Sequence, residues 1–101
     1  MNYDSFTAQD RRLALLRVIQ ENGGQANERT LYSAITAIGF PATTRDDVRQ
    51  DLELLGQRHC LTKEMFDSLF LVVALTEIGQ DVADGKRAVQ GVKKGDPSSR
   101  R

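Results

Sequence analysis

The side chains best suited to catalysis or metal binding are His59 and Cys60, which are the only histidine and the only cysteine of the chain. A zinc site needs three or four ligands. A cysteine nucleophile needs a histidine base that reaches it from elsewhere in the fold, whereas these two residues are adjacent. We therefore predict that Cys60 is a small buried residue and that the protein binds no metal or cofactor.

Two further motifs have structural explanations. Gly23-Gly24 lacks the preceding strand, the spacing and the lysine of a phosphate-binding loop, so it is expected to end a helix. Asp46 and Asp47 lie where a helix should begin, and carboxylates there cap backbone N–H groups without any catalytic role. With no nucleophile, base or metal cluster in the sequence, we predict that the protein is not an enzyme.

The segment from Thr43 to Gln57 has the pattern of a helix that could contact DNA. Thr43 or Thr44 can cap it, with a carboxylate three residues later as the partner in a capping box. An apolar stripe at helical spacing turns one side inward, and the helical wheel leaves the other side polar. The stripe is Val48, Leu52 and Leu55, and the outward residues are Asp46, Arg49, Gln50, Glu53 and Gln57.

This helix allows two interpretations. In the first, Arg49 and Gln50 read base edges, while Thr43, Thr44 and Arg45 meet a phosphate at the helix N-terminus. In the second, it is a solvated amphipathic helix that only packs against the core, because its carboxylates would repel the DNA backbone.

The remaining periodicity predicts the elements around this helix. Two helices precede it, one from near Thr7 to Asn22-Gly23-Gly24 and one capped by Asn27 and ended by Gly39 and Pro41. Residues 61–66 and 69–75 alternate or are rich in β-formers, with Asp67-Ser68 as a two-residue turn. A last short helix runs from Thr76 to Gly85.

This order predicts a fold that is mainly α with a small β-hairpin (α+β). Its three-helix core and two-stranded wing would make it a winged helix-turn-helix, although a generic α+β domain has the same elements. We expect the domain to span residues 1–85 and residues 86–101 to form a basic tail that is partly disordered.

Charge is distributed unevenly although the formal net charge is zero. The basic tail carries six cations and one carboxylate, and residues 1–85 carry eight cations and thirteen carboxylates. The acidic body disfavours nonspecific attraction to phosphates. The tail either contacts DNA, through Lys86, Arg87, Lys93 and Lys94 in particular, or serves as a solubilising terminus.

The hairpin tip, Met65-Phe66-Asp67-Ser68-Leu69-Phe70, is apolar, and Lys63 is the nearest cation that could grip a phosphate. Wings that contact DNA usually carry Lys or Arg at the tip. Phe66 and Phe70 either cover the core or, if exposed, contact another protein or a second copy of the chain.

Two stretches resemble a known family. Residues 44–55 (Thr-Arg-Asp-Asp-Val-Arg-Gln-Asp-Leu-Glu-Leu-Leu) are similar to the third helix of small winged-helix regulators, and Leu75-Thr76-Glu77-Ile78-Gly79 is similar to the junction after their wing. With Gly91-Val92-Lys93-Lys94, the chain resembles ArsR-type winged helix-turn-helix proteins of Mu-like phages and prophages. The resemblance implies a DNA-binding transcriptional regulator, but not metal sensing, because the ArsR metal sensors use cysteine pairs.

These features lead to two functional hypotheses. The first is a homodimeric regulator that binds double-stranded DNA, and the second is a protein-interaction module that keeps the winged fold without binding DNA. A single cysteine, the absence of a signal-peptide pattern and a longest apolar run of only residues 69–75 predict a cytoplasmic protein without a membrane partner.

Overall fold

The computed structural model describes residues 3–96, which form four helices and three strands. Their order is α1 (Tyr3–Glu21), β1 (Gln25–Asn27), α2 (Glu28–Ala37), α3 (Arg45–Gln57), β2 (Leu61–Phe66), β3 (Phe70–Leu75) and α4 (Glu77–Ala83). The predicted α+β class is confirmed. The finer assignment to a winged helix-turn-helix stays a prediction. Among residues 3–96, no helix is both long and apolar enough to span a bilayer.

The helix caps follow from local sequence. The side chain of Asn27 accepts a hydrogen bond from the backbone N–H of Thr30 at 2.7 Å at the start of α2. The hydroxyl of Thr76 does the same for the N–H of Gly79 at 3.0 Å at the start of α4. Each bond satisfies a backbone donor that the first turn of a helix leaves unpaired. The predicted start of α1 near Thr7 is four residues too late, since no Gly or Pro interrupts the segment from Tyr3 onward.

The sheet contains one strand that the sequence pattern did not predict. Its order is β1-β3-β2, and both pairs are antiparallel. The three residues of β1 pair with Val72–Ala74 of the central strand, and β2 pairs along the whole of β3. The outer edge of β2 has no strand partner within residues 3–96. The two-stranded hairpin is therefore part of a three-stranded sheet.

The turn between β2 and β3 contains the two predicted residues, Asp67 and Ser68, and Leu69 as a third, because Phe66 pairs with Phe70. Asp67 and Ser68 have φ angles of 54° and 56°, and the N–H of Leu69 donates to the carbonyl of Phe66 at 3.0 Å. Two successive positive φ angles are typical of a type I′ turn, whose twist matches that of a hairpin.

The core joins α1, α2, α3, α4 and β3. The predicted apolar stripe of α3 is fully buried, as Val48, Leu52 and Leu55 show no exposure. It packs with residues of the other elements, among them Leu15, Leu16, Ile19, Leu31, Ile35, Val73 and Val82. Burial of such side chains supplies most of the favourable free energy of folding.

Residues 86–96, called the C-terminal segment here, lie against the helices. Val92 is buried, and Val89 packs against the core. The N–H of Lys93 donates to the carbonyl of Gln9 on α1 at 3.2 Å. The predicted boundary at residue 85 stays a prediction, and residues 97–101 of the basic tail lie outside the described residues.

Candidate nucleic-acid interface

The N-terminus of α3 has a complete capping box. The hydroxyl of Thr44 accepts the N–H of Asp47 at 3.0 Å, and the carboxylate of Asp47 accepts the N–H of Thr44 at 2.9 Å. The hydrogen bond from Thr44 lowers the pKa of the Asp47 carboxyl. Thr43, expected to contact a phosphate, is only 7% exposed. The N–H groups of Thr44 and Asp47 are therefore already bonded within the cap.

We expect Thr44→Ala to destabilise the protein by about 1 kcal/mol, the usual cost of losing a capping hydroxyl. Urea unfolding at pH 7 measures this change. Since the pKa of Asp47 is lower in the folded state, its contribution is present above its ordinary value of 3.8 and is lost as the pH falls through the lowered value. An equal stability of variant and wild type at pH 7 would contradict this role of the cap.

The outer face of α3 presents the residues predicted to read DNA. Arg45, Arg49 and Gln50 are exposed. The Arg49 side chain is 67% exposed, and its Nε donates to a carboxylate oxygen of Glu28 on α2 at 2.7 Å. This ion pair raises the pKa of Arg49. The guanidinium of Arg45 lies over the ring of Tyr32, 5.3 Å from the centroid. Both arginines are thus oriented by α2.

The inner side of α3 contains a buried charge that the sequence analysis did not single out. Asp51 has no exposed side-chain area and accepts hydrogen bonds from two arginines of α1. The Arg11 Nε lies 2.5 Å from one carboxylate oxygen, and the Arg12 Nε lies 2.9 Å from the other. The hydrogen bond to Asp51 raises the pKa of Arg11. These bonds fix the orientation of α3 relative to α1.

The hairpin lies along one flank of α3. Lys63 of β2 forms an ion pair with Glu53 of α3, so the one candidate cation of the hairpin is already matched. The tip exposes four large apolar side chains, Met65, Phe66, Leu69 and Phe70, of which Leu69 is the most exposed at 76%. The interpretation in which Phe66 and Phe70 cover the core is therefore wrong.

The C-terminal segment packs on α1 and reaches the C-terminal end of α3. The Nη1 of Arg12 donates to the carbonyl of Gly91 at 2.9 Å, and the Nε of Arg58 donates to that of Gln90 at 3.0 Å. Four predicted contact residues of this segment are exposed, and one of them, Lys93, lies 3.5 Å from a carboxylate oxygen of Asp10. They are Lys86, Arg87, Lys93 and Lys94.

His59 and Cys60 end α3. His59 has a φ of 63°, and the N–H groups of His59 and Cys60 donate to the carbonyls of Gly56 and Leu55 at 3.0 and 2.9 Å. This bonding is that of a Schellman cap. Cys60 is buried as predicted, and burial raises the pKa of its thiol, which disfavours the thiolate. No group of three or more potential metal ligands occurs among residues 3–96.

A pocket of about 120 Å³, called the arginine pocket here, opens between α2, the start of α3 and the hairpin. Its cations are Arg29, Arg45 and Arg49. The sequence did not indicate Arg29, because this residue of α2 meets the two arginines of α3 only in the tertiary structure. The same pocket is lined by Glu28, Tyr32 and Phe70.

Comparison with known proteins identifies relatives in phage Mu and in a bacterium. The chain is 39% identical over 89 residues to the uncharacterized protein gp26 of Escherichia phage Mu, and the match covers 88% of this chain and 91% of that protein. The chain belongs to the Mu gp26 family. An uncharacterized protein of Haemophilus influenzae is 32% identical over 77 residues, which cover 76% of this chain and 74% of that protein.

Membership of the Mu gp26 family supports the part of the resemblance that concerned Mu-like phages. No protein-family model matches the chain, and no solved structure does. The relation to ArsR-type proteins stays a prediction.

Proposed function

We propose that the protein is a winged helix-turn-helix transcriptional regulator of a Mu-like phage or prophage and that it binds double-stranded DNA as a homodimer. The order of α1, β1, α2, α3 and the β2–β3 hairpin supports this assignment. In it, α3 is the recognition helix and the hairpin is the wing.

The observation that carries the proposal is the exposed face of α3, which presents Arg45, Arg49 and Gln50. Lys63 of the hairpin pairs with Glu53 of α3, and the C-terminal segment contacts Arg58, where α3 ends. A helix that enters the major groove needs flanking groups that contact the sugar–phosphate backbone on either side. Lys63 of the hairpin and Lys93 and Lys94 of the C-terminal segment are the candidates for those contacts.

The charges of the domain predict weak nonspecific binding to DNA and a preference for a matched DNA sequence. Arg49 and Lys63 are paired with Glu28 and Glu53, so DNA has to replace these carboxylates. Nonspecific affinity should therefore be low, whereas a matched sequence gains hydrogen bonds to base edges.

A selection of genomic and phage fragments, followed by fluorescence titration of the best fragment at several salt concentrations, tests the proposal. Gln50→Ala should lower the preference for that fragment over a scrambled duplex by roughly tenfold, because a base-reading side chain is lost. Gln80→Ala, at an exposed uncharged position of α4, is the control and should bind as the wild type does.

The C-terminal segment is tested by substitution, since deleting residues 86–101 would also remove the buried Val92. Lys93→Gln with Lys94→Gln should reduce the steepness of the salt dependence. If no selected fragment binds more tightly than a scrambled duplex at any salt concentration, the proposed function is wrong.

The apolar hairpin tip favours a second candidate, a protein-interaction module on the same fold. Met65, Phe66, Leu69 and Phe70 form an exposed apolar cluster at the end of a hairpin, a composition typical of protein contacts. Sedimentation of the purified protein together with the DNA titration separates the two functions. A stable oligomer that binds no fragment would favour this second function.

A further inference from the structure

The arginine pocket combines three cations with one carboxylate on a body that is otherwise acidic. Arg29 is exposed on α2, and Arg45 and Arg49 are exposed on the first two turns of α3. Glu28 is the carboxylate that lines the same pocket, which leaves a formal charge of +2 there. The pocket is therefore a local site for an anion on a domain that repels anions overall.

The size of the pocket limits the group that it can hold. A cavity of about 10–15 Å³ admits one water molecule, so about 120 Å³ accommodates a group of several non-hydrogen atoms. Pockets that enclose drug-sized ligands are larger, at roughly 300–1,000 Å³. A single phosphate group fits these limits.

The arginines of the pocket can bind the oxygen atoms of an anion through two N–H donors of one planar guanidinium group. The guanidinium of Arg49 already binds a carboxylate, that of Glu28, through its Nε at 2.7 Å. Guanidinium groups bind carboxylate and phosphate with the same fork of donors. Arg45 is held over the ring of Tyr32 and is therefore ordered beside this pair.

We propose that the arginine pocket is a phosphate site for the DNA backbone, formed by Arg29, Arg45 and Arg49, and that Glu28 holds Arg49 in place until a phosphate replaces its carboxylate. The inference rests on the proposed function and locates one of its backbone contacts. It assigns the contact to arginine side chains and not to the N–H of Thr44, which Asp47 already accepts. Glu28 weakens binding because it competes with the phosphate for Arg49.

The first test is the salt dependence of DNA binding by Arg29→Ala and Glu28→Gln. Arg29→Ala should lower affinity about fivefold at low salt and reduce the slope of log affinity against log salt by about 0.9, the loss of one phosphate contact. Glu28→Gln should raise affinity about threefold, because the competing charge is gone. Glu21→Gln changes net charge equally at an exposed position at the end of α1 and is the matched control, expected to leave affinity within about twofold.

The second test uses inorganic pyrophosphate as a small probe, followed by NMR of the arginine Nε–H signals. Shifts of the Arg29 and Arg49 signals that saturate with pyrophosphate, together with loss of the Arg49 shift in Arg29→Ala, support a phosphate site. A normal far-ultraviolet circular dichroism spectrum of each variant shows that a loss of binding is not a loss of fold.

The outcomes separate this inference from the proposed function. If the wild type binds DNA and Arg29→Ala keeps the same salt slope, the phosphate site is wrong while the proposed function stands. If the wild type binds no DNA but binds pyrophosphate through Arg29, the pocket takes a small phosphorylated molecule, and both the DNA assignment and the proposed function are wrong.

Discussion

Replacing Asp51 with alanine is expected to destabilise the protein by about 3 kcal/mol, far more than the loss of a surface ion pair. The substitution removes a fully buried carboxylate and leaves the guanidinium groups of Arg11 and Arg12 without it. Breaking a buried pair from one side costs about 3–5 kcal/mol, since the remaining charge has no compensation. We expect the lower end because the two arginine side chains keep 12% and 18% exposure and can be partly solvated.

Urea unfolding measures this difference, and Asp10→Ala is the matched control. Asp10 faces Lys93 at 3.5 Å, with both side chains about half exposed, and such pairs contribute about 0–1 kcal/mol. If Asp51→Ala lowers the free energy of unfolding by no more than Asp10→Ala does, the ion pairs of Asp51 do not hold α3 on α1.

Gly79→Ala is the second substitution with a large expected effect. A Cβ at this position would lie 1.9 Å from the carbonyl oxygen of Cys60 and 2.9 Å from the Cδ1 of Leu75. The first neighbour is a backbone atom that accepts the N–H of Thr76 at 3.1 Å, so it cannot move without disturbing the start of α4. We expect a loss of about 3 kcal/mol or more, the upper range for overpacking a core.

Gly56→Ala is the control for that experiment because it adds the same methyl group to α3. Its Cβ would meet only the Cε of Lys63 at 3.5 Å and the Cδ1 of Leu61 at 3.9 Å, which are ordinary contacts. Alanine also favours a helix over glycine by about 0.5–1 kcal/mol, so this variant should be as stable as the wild type or more so. Similar unfolding midpoints for the two variants would contradict the close approach at Gly79.

Local rules were sufficient for most of the helices and for the hairpin. Thr44 and Asp47 define the start of α3 by a capping box whose spacing is visible in sequence, and Asp67-Ser68 marks the turn because hairpins require positive φ there. These features depend on neighbours within a few residues. Strand β1 could not be predicted in the same way, since its three residues are stabilised by pairing with Val72–Ala74 far along the chain.

The candidate site could be predicted from the sequence only where it depends on neighbouring residues of one helix. Arg49 and Gln50 follow from the helical wheel and Arg45 from its place at the helix N-terminus, and all three are exposed. Asp51 lies three residues after Val48 and four before Leu55, so helical spacing already placed it on the inward side. Its partners Arg11 and Arg12 required the packing of α1 on α3.

The arginine pocket and the C-terminal segment depended entirely on tertiary structure. Arg29 joins Arg45 and Arg49 only when α2 and α3 are packed together. The composition of residues 86–101 indicated a solvated tail, but Val92 is buried. The burial of this one apolar side chain stabilises the packed position of the segment, although the residues around it are mostly polar.

The central position of β3 also affects the behaviour of the protein at high concentration. Phe-Leu-Val-Val-Ala-Leu, the sequence of β3, is a short uncharged segment of high β-propensity, the kind that nucleates amyloid-like association when its backbone is free. In the folded chain β2 covers one edge of this segment throughout, and β1 covers Val72–Ala74 on the other. The smallest element of the fold thus shields its most aggregation-prone sequence from neighbouring chains.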